Sequence, residues 1–504
     1  MNTNNRGGRG LRAIATIGAI ALGLIGVAAV GAPASAATSV PNLPDGPYTL
    51  NITKYAQPNP PLTLPHDGTQ QNIPAGTTAI PGVQYSIAPV QGLDLTTAAG
   101  WQLTDGMTVS STGVVTDAHG NVYSTGTAVA LPLTDGNGAT SYTTAAGAAP
   151  MAYVVTEVSA PNNVPNVAPP FLVTLPLPQA NNWLTTVYAY PKNVTTEAPT
   201  KTVDDSGAFG LGQSVKWTVS AKVPNLPADT NLSSFILKDH LDSRLTPPAP
   251  GDVTVSFKTA GGSTVALDPS DYAVAVTGQD LSVTFTSTGL ALLSQSANQG
   301  GSATAAFSTV VTGVDDGTIL NTPVANINGH DYSGEPKQTT WGSLQLKKVG
   351  GTQEGKALQG AQFKVYKSIS DAQNDHDAVV VNGQSTFTSL ADGSVAIAGL
   401  RTGSNGDGAT DPTTYYIVET QAPIGYNVAS GYDKASGGHA VVVHPGSTAN
   451  ALITVVDPQV PPFMLPLTGS TGTALFVGGG IALIALAMGA AFVMYRRKAS
   501  VTQV

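Results

Sequence analysis

Short runs in which apolar and polar residues alternate, broken by glycine, proline, aspartate or asparagine, limit this chain most. Leu344-Gln345-Leu346, Phe363-Lys364-Val365-Tyr366 and Val283-Thr284-Phe285 are examples. A period of two sends successive side chains to opposite faces of a strand. Many short strands of this kind, with turn residues between them and few helix-like stretches, read as all-β sandwiches. Roughly 430 residues lie between the two terminal segments, which suggests about three domains. Boundaries are expected at KNVTTEAPTK, residues 192–201, and at residues 335–342. The expected division is 37–194, 195–342 and 343–458, followed over 459–469 by a Pro-rich stalk and the pentapeptide LPLTG.

The two ends have their own signatures. Arg6, Arg9 and Arg12 precede an apolar run from Ile14 to Val30, and Ala34-Ser35-Ala36 follows. A basic start, an apolar run and a small-x-small site read as a secretory signal over residues 1–36. Near the other end, the apolar stretch Thr473 to Tyr495 is long enough to cross a bilayer as a helix and is followed by Arg496, Arg497 and Lys498. Basic residues stay on the cytoplasmic side, so the preceding domains are expected outside.

Charge and cysteine content narrow the chemistry. Outside residues 1–36 and 470–504 the chain has 16 basic and 31 acidic residues. Nucleic acid is an unsuitable partner, because phosphate binding needs basic patches. The chain has no cysteine, although an exported protein could form disulfides. Any covalent cross-link must therefore use other side chains. No phosphate loop, HExxH or Cys/His cluster, or GxSxG elbow is present, so neither cofactor nor metal is expected and the chain does not read as an enzyme. Asp204-Asp205 and Asp315-Asp316 could bind calcium, but acidic pairs in loops are usually just solvated, and they are read as solvated loop acids.

Leu465-Pro466-Leu467-Thr468-Gly469, followed by the apolar span and basic tail, resembles the LPxTG sorting signal of Gram-positive surface proteins. The resemblance implies that a sortase cysteine attacks the Thr468 carbonyl, Gly469 and the tail leave, and the acyl group passes to an amine on peptidoglycan or another protein. WLTTVYAYPKN, residues 183–193, resembles the pilin motif WxxxVxVYPKN through Trp183, Val187, Tyr190, Pro191, Lys192 and Asn193, with Ala189 in place of the usual valine. In that family the lysine accepts the next subunit's threonine. Lys192 is then expected at a strand edge beside Trp183 and Tyr190.

The third block resembles a collagen-adhesin B-type domain through LQLKKVGG, the E-box-like ETQAPIGY at 419–426 and LITVVDP. Such domains join a lysine to an asparagine or aspartate with the help of an acid. Alternation puts Lys348 on the face of Leu344 and Leu346, Glu419 on that of Ile417, and Asp457 on that of Val455. Lys348 is the expected nucleophile, Asp457 its partner and Glu419 the acid, with Lys347 as second choice. In the first block Lys54 follows Leu50 and Ile52 on one face; Lys54, Asn193 and Glu157 are the matching set, although the YVVTEVSAP segment lacks the GY ending. The second block resembles the middle domain of backbone pilins, with Lys201 as nucleophile, Asn321 as partner and Asp239 as acid; Asn326 and Lys216 are alternatives.

Together these features resemble a sortase-assembled backbone pilin with three immunoglobulin-like or collagen-adhesin B-type sandwiches. The resemblance implies as partners sortase, identical subunits, accessory or tip pilins, peptidoglycan and a host glycan or matrix protein, and implies localisation at the cell wall as a fimbrium. The alternative is a wall-anchored monomeric adhesin or accessory pilin.

Overall fold

The computed structural model describes residues 39–352, 354–403, 408–409, 412–461 and 470–499. The expected signal segment, residues 1–36, and the motif Leu465 to Gly469 lie outside the described residues. The structure is mostly β, with strands grouped in three successive sets of sheets and an apolar helix, Ser470–Ala499, after them. That helix holds a stretch, Thr473–Arg497, long and apolar enough to cross a membrane.

In the first set, Thr49–Thr53 lies between Thr186–Ala189, which is parallel to it, and Ala139–Thr143. A four-stranded sheet, Phe171–Leu175, Met151–Ser159, Gln84–Pro89 and Val129–Ala130, accompanies it. The alternating inward residues Leu50, Ile52, Tyr85, Ile87, Val155 and Val187 share one core. The second set packs a sheet built on Ser214–Lys222 and Ser302–Val311 with a five-stranded sheet centred on Phe235–His240. The third contains Thr318–Asn321, Lys337–Gly350 and Ser394–Thr402, with Ile453–Asp457 parallel to Lys337–Gly350, and a second sheet centred on Gln362–Tyr366 and Thr413–Gln421.

The junction read at 335–342 is not a loop. Most of it belongs to the single strand Lys337–Gly350, which runs from the second set into the third. Thr340 pairs with Thr318 on one side and Thr402 on the other. One apolar core runs through both sets. The loop 205–213 also docks on the third set: Leu211 N donates to Gly399 O at 2.9 Å and Arg401 N to Phe209 O at 3.0 Å. Gly399 has φ +87°, and a Cβ there would overlap the Leu211 side chain, so glycine leaves the space that Leu211 fills.

Asp205 departs from its reading as a solvated acid. It is 1% exposed, accepts from Arg401 at 3.2 Å and from Thr339 Oγ1 at 2.7 Å. Burial raises its carboxyl above the usual range, and Thr339 and Arg401 oppose that shift. Removing one partner of a buried pair leaves the other charge uncompensated. Asp205→Ala is therefore expected to lower the unfolding free energy by about 3–5 kcal/mol in equilibrium urea denaturation. A loss below about 1 kcal/mol, typical of an exposed pair, would contradict this account.

Candidate functional sites: three buried lysines and a half-buried fourth

Three lysines lie inside the sheet sets because each continues an inward-facing alternation. Lys54 follows Leu50 and Ile52, and Lys348 follows Leu344 and Leu346; all six side chains are essentially unexposed. Lys201 lies on Thr200–Asp204, in which Lys201 and Val203 face inward. Each amine meets an acid drawn from another strand.

In the first set, Lys54 Nζ donates to Glu157 Oε2 at 2.6 Å and to Asn193 Oδ1 at 2.7 Å. Asn193 Nδ2 donates to Glu157 Oε1, closing the triangle. The strand Tyr55–Ala56 runs parallel to Lys192–Asn193, so the start and end of this set are neighbours. Burial lowers the Lys54 amine below the ordinary lysine value, against the pull of Glu157. In the third set, Lys348 Nζ donates to Glu419 Oε2 at 2.9 Å and also to Asp457 Oδ1, which accepts from Ala429 N at 3.0 Å as well. Burial raises the Glu419 carboxyl to about 7; Lys348 opposes the shift and neighbouring Asp457 adds to it. Lys348 and Asp457 lie on parallel neighbours, where Lys348 pairs with Val455 and Gly350 with Asp457.

The middle site is less closed. Lys201 Nζ pairs with Asp239 Oδ2. Burial lowers the amine and raises the carboxyl, while their attraction opposes both shifts. Asn321 is buried beside Asp239 and pulls that carboxyl down, yet neither of its amide atoms reaches hydrogen-bonding geometry. The alternatives point elsewhere. Asn326 is held by Ser234 at 2.8 Å and Asp331 at 2.7 Å, Lys216 is exposed, and Lys347 turns outward to Asp392 O at 2.5 Å.

Among the described residues, nine buried side-chain polar atoms lack a partner, and five belong to Asp239, Asn321, Glu419 and Asp457. Such groups are costly and ordinarily satisfied, so their concentration here marks these sites as unusual. Sequence reading missed the aromatic rings around the amines. Tyr85 lies 5.9 Å from Lys54, Trp217 and Phe307 lie 5.2 and 5.4 Å from Lys201, and Phe363 lies 5.9 Å from Lys348. Their own inward alternation, as in Tyr85 and Ile87, was the available signal.

Lys192 is next to Asn193 and faces the other way. It is half-buried, and Nζ donates to the Tyr190 carbonyl at 3.2 Å. Burial holds its amine below the ordinary lysine value. Tyr190 stacks on Tyr55 at 6.5 Å and accepts from Gln71 N at 2.9 Å; Val187 is buried. Trp183, expected beside the lysine, instead packs on Trp101 at 4.9 Å, because the hairpin Leu177–Gln179 and Asn182–Leu184 carries it there. Neutral amine, the nucleophilic form, is therefore more abundant at Lys192 than at an exposed lysine. NMR titration of reductively methylated protein should give Lys192 a midpoint below that of a lysine in a short unstructured peptide; a midpoint equal to it would remove this distinction.

Comparison with known proteins agrees with this architecture. Residues 47–194 match the family described as Gram-positive pilin subunit D1, N-terminal domain, and residues 342–433 match a prealbumin-like fold domain. Fimbrial subunit type 2 of Actinomyces naeslundii is 30% identical, with 87% of each chain covered. Fimbrial subunit type 1 of Actinomyces viscosus is 28% identical, covering 86% of this chain and 87% of its own. Among solved structures, the full-length major pilin SpaD of Corynebacterium diphtheriae superposes with a TM-score of 0.63 at 22% identity, covering 83% of this chain and 98% of its own. The major pilin SpaA of the same organism gives 0.53 at 18%, covering 82% and 100%. The fold is thus that of major pilins, and the chain belongs to the family of Gram-positive fimbrial subunits, structural proteins rather than enzymes.

Proposed function

We propose that this chain is the shaft subunit of a covalent pilus, in which Lys192 of one subunit is joined to Thr468 of the next. The observation that carries the reading is a half-buried lysine with a lowered amine, at the end of the first sheet set, in a chain whose sorting motif lies at its other end. One acceptor and one donor per subunit make a head-to-tail contact that does not close, which generates filaments. A sortase thiolate attacks the Thr468 carbonyl, the Thr468–Gly469 bond breaks, and the Gly469 amine leaves with a proton. Neutral Lys192 Nζ then attacks the thioester, the thiolate departs and one amine proton is released. Transfer to peptidoglycan instead of Lys192 anchors the fibre to the wall. Accessory pilins would enter the same polymer, and an adhesive target would be a host glycan or matrix protein. The apolar helix holds the precursor at the membrane.

The domains in this reading are 37–194, 195–342 and 343–458, each holding one internal isopeptide bond. Lys54 attacks the Asn193 carboxamide with Glu157 as acid, and Lys201 attacks that of Asn321 with Asp239 as acid; each loses ammonia. Lys348 attacks the Asp457 carboxyl and water is lost, with protonated Glu419 polarising the carbonyl and shuttling the proton. Support comes from burial, which favours the neutral amine at Lys54 and Lys201 and the protonated acid at Asp239 and Glu419, the forms needed for attack. Each product is neutral, so the cost of a buried charge disappears.

Denaturing gels of wall extracts should show high-molecular-weight ladders that Lys192→Ala abolishes; ladders that persist would refute the acceptor assignment. Intact-mass spectrometry of the soluble ectodomain should show two ammonia losses and one water loss. Glu419→Ala should restore the water and lower thermal stability by several °C, about 2–4 kcal/mol for a cross-link closing a long loop. An unmodified wild-type mass would end the isopeptide reading while leaving the shaft reading intact.

A further inference from the structure

Besides its three charged groups, the Lys348 site contains a backbone donor. The N–H of buried Ala429 donates to Asp457 Oδ1 at 3.0 Å. The segment that carries it is pinned at both ends. Asn427 N donates to Pro458 O at 2.9 Å, next to Asp457, and Tyr432 O accepts from Glu419 N at 2.8 Å. Tyr432 N donates to Ala429 O at 3.1 Å, which closes a four-residue turn over 429–432. Val428 packs against the continuous apolar core. Residues 427–432 therefore bond to the backbone beside both carboxyls, and their turn fixes the direction of one N–H.

The two oxygens of Asp457 are not alike in these surroundings. Oδ1 accepts from Ala429 N and from Lys348 Nζ. Oδ2 is buried without a hydrogen-bond partner, and so is Glu419 Oε1. Glu419 meets Lys348 through its other oxygen, Oε2, and its carboxyl acts directly on that of Asp457. Ionised carboxyl oxygens only accept, so two of them have no bond to share until one carries a proton. The unpartnered oxygens suit a proton passing between Glu419 and Oδ2, while Oδ1 faces fixed donors.

We propose that the Ala429 N–H is an oxyanion donor for closure of the Lys348–Asp457 bond, keeping Oδ1 as the carbonyl while Oδ2 leaves as water. This rests on the Lys348–Asp457 reading and adds the backbone as a second catalyst beside Glu419. Neutral Lys348 Nζ attacks Cγ of the protonated Asp457 carboxyl, and negative charge develops on Oδ1, where the Ala429 N–H already points. Glu419 gives its proton to the Oδ2 hydroxyl, the Cγ–Oδ2 bond breaks and water leaves. Glu419 recovers a proton from Nζ, and Oδ1 remains as the amide carbonyl. A donor held by its fold needs no reorganisation when the charge appears. The first set shows why an aspartate gains from this. The amide of Asn193 has two different ends, with Oδ1 meeting Lys54 and Nδ2 meeting Glu157. A carboxyl has two equivalent oxygens, so a further group must decide which one stays.

The test removes that single donor. Cell-free synthesis of the full chain in detergent, with lactic acid in place of Ala429, exchanges one backbone amide for an ester and deletes only the N–H. Samples quenched over time and digested report the branched Lys348–Asp457 peptide. Its appearance should slow by roughly 100-fold, the scale of one lost oxyanion donor. Ala429→Gly, which keeps the N–H, should link at the wild-type rate. Protease resistance of the third set, matched against Lys348→Ala, which keeps the N–H but cannot link, separates slow chemistry from failed folding. A structure of the linked wild-type chain is an independent check, in which the isopeptide carbonyl should accept from Ala429 N. An unchanged rate in the lactic-acid chain, or a carbonyl turned towards Glu419, overturns the proposal. A wild-type chain that never yields the branched peptide would instead refute the Lys348–Asp457 bond itself.

Discussion

A lysine amine enclosed by apolar strands must have its charge matched or removed. That constraint unites Lys54, Lys201 and Lys348, each placed inside its sheet set by the same alternation that buries its neighbours. A buried ion pair seldom recovers the full cost of desolvation, even at 2.6 Å as between Lys54 and Glu157. Asp205 and Arg401 are the instructive contrast, since they too form a buried pair, joining a loop to a distant strand. Arginine keeps its proton under all ordinary conditions, so that pair can only remain ionic. Lysine can give its proton up when burial lowers its amine, and a neutral amine beside a protonated acid can react. The same packing thus yields a salt bridge with one cation and, in the proposed function, a covalent bond with the other.

Alternation makes much of this legible in the amino-acid sequence. Leu344, Leu346 and Lys348 share a face, as do Ile417 and Glu419, and period two is a local property that survives in any register. The meeting of Lys348 with Glu419 and Asp457, 71 and 109 positions away, needed the family resemblance as well. Where neither guide applied, the sequence was silent or misleading. Asp205 and Arg401 are 196 positions apart, and nothing local separates a buried aspartate from a solvated one in a Gly-rich turn. Trp183 went to Trp101 because a hairpin swings it away from the motif that contains it. The boundary read at 335–342 says nothing of local structure, and there Thr340 is paired on both sides, which depends on strands from two sheet sets arriving together.

The positions of the cross-links give them unequal mechanical roles in the proposed fibre. Tension would enter at Lys192 and leave at Thr468, so residues 48–191 lie outside the stretched path. A Lys54–Asn193 bond could not shield that part of the chain from load. It would fasten Asn193, the residue beside the acceptor, to the strand Tyr55–Ala56 that Lys192–Asn193 already pairs with. Its consequence would be to hold the acceptor lysine in place.

The other two bonds lie on the path. Lys201–Asn321 would bypass most of the second sheet set and Lys348–Asp457 most of the third. The backbone between them, residues 321–348, would carry force without a covalent bypass. Part of that stretch is the strand Lys337–Gly350, flanked on one side by Thr318–Asn321 and on the other by Ser394–Thr402. The docked loop 205–213 and the Asp205–Arg401 pair add contacts across the same junction. Where the covalent path is interrupted, the chain is held by hydrogen bonds on both edges and by a core continuous across the boundary. A flexible linker at 335–342 would have left that interval the weakest point in the shaft; a shared strand makes its extension depend on tearing two sheet edges at once.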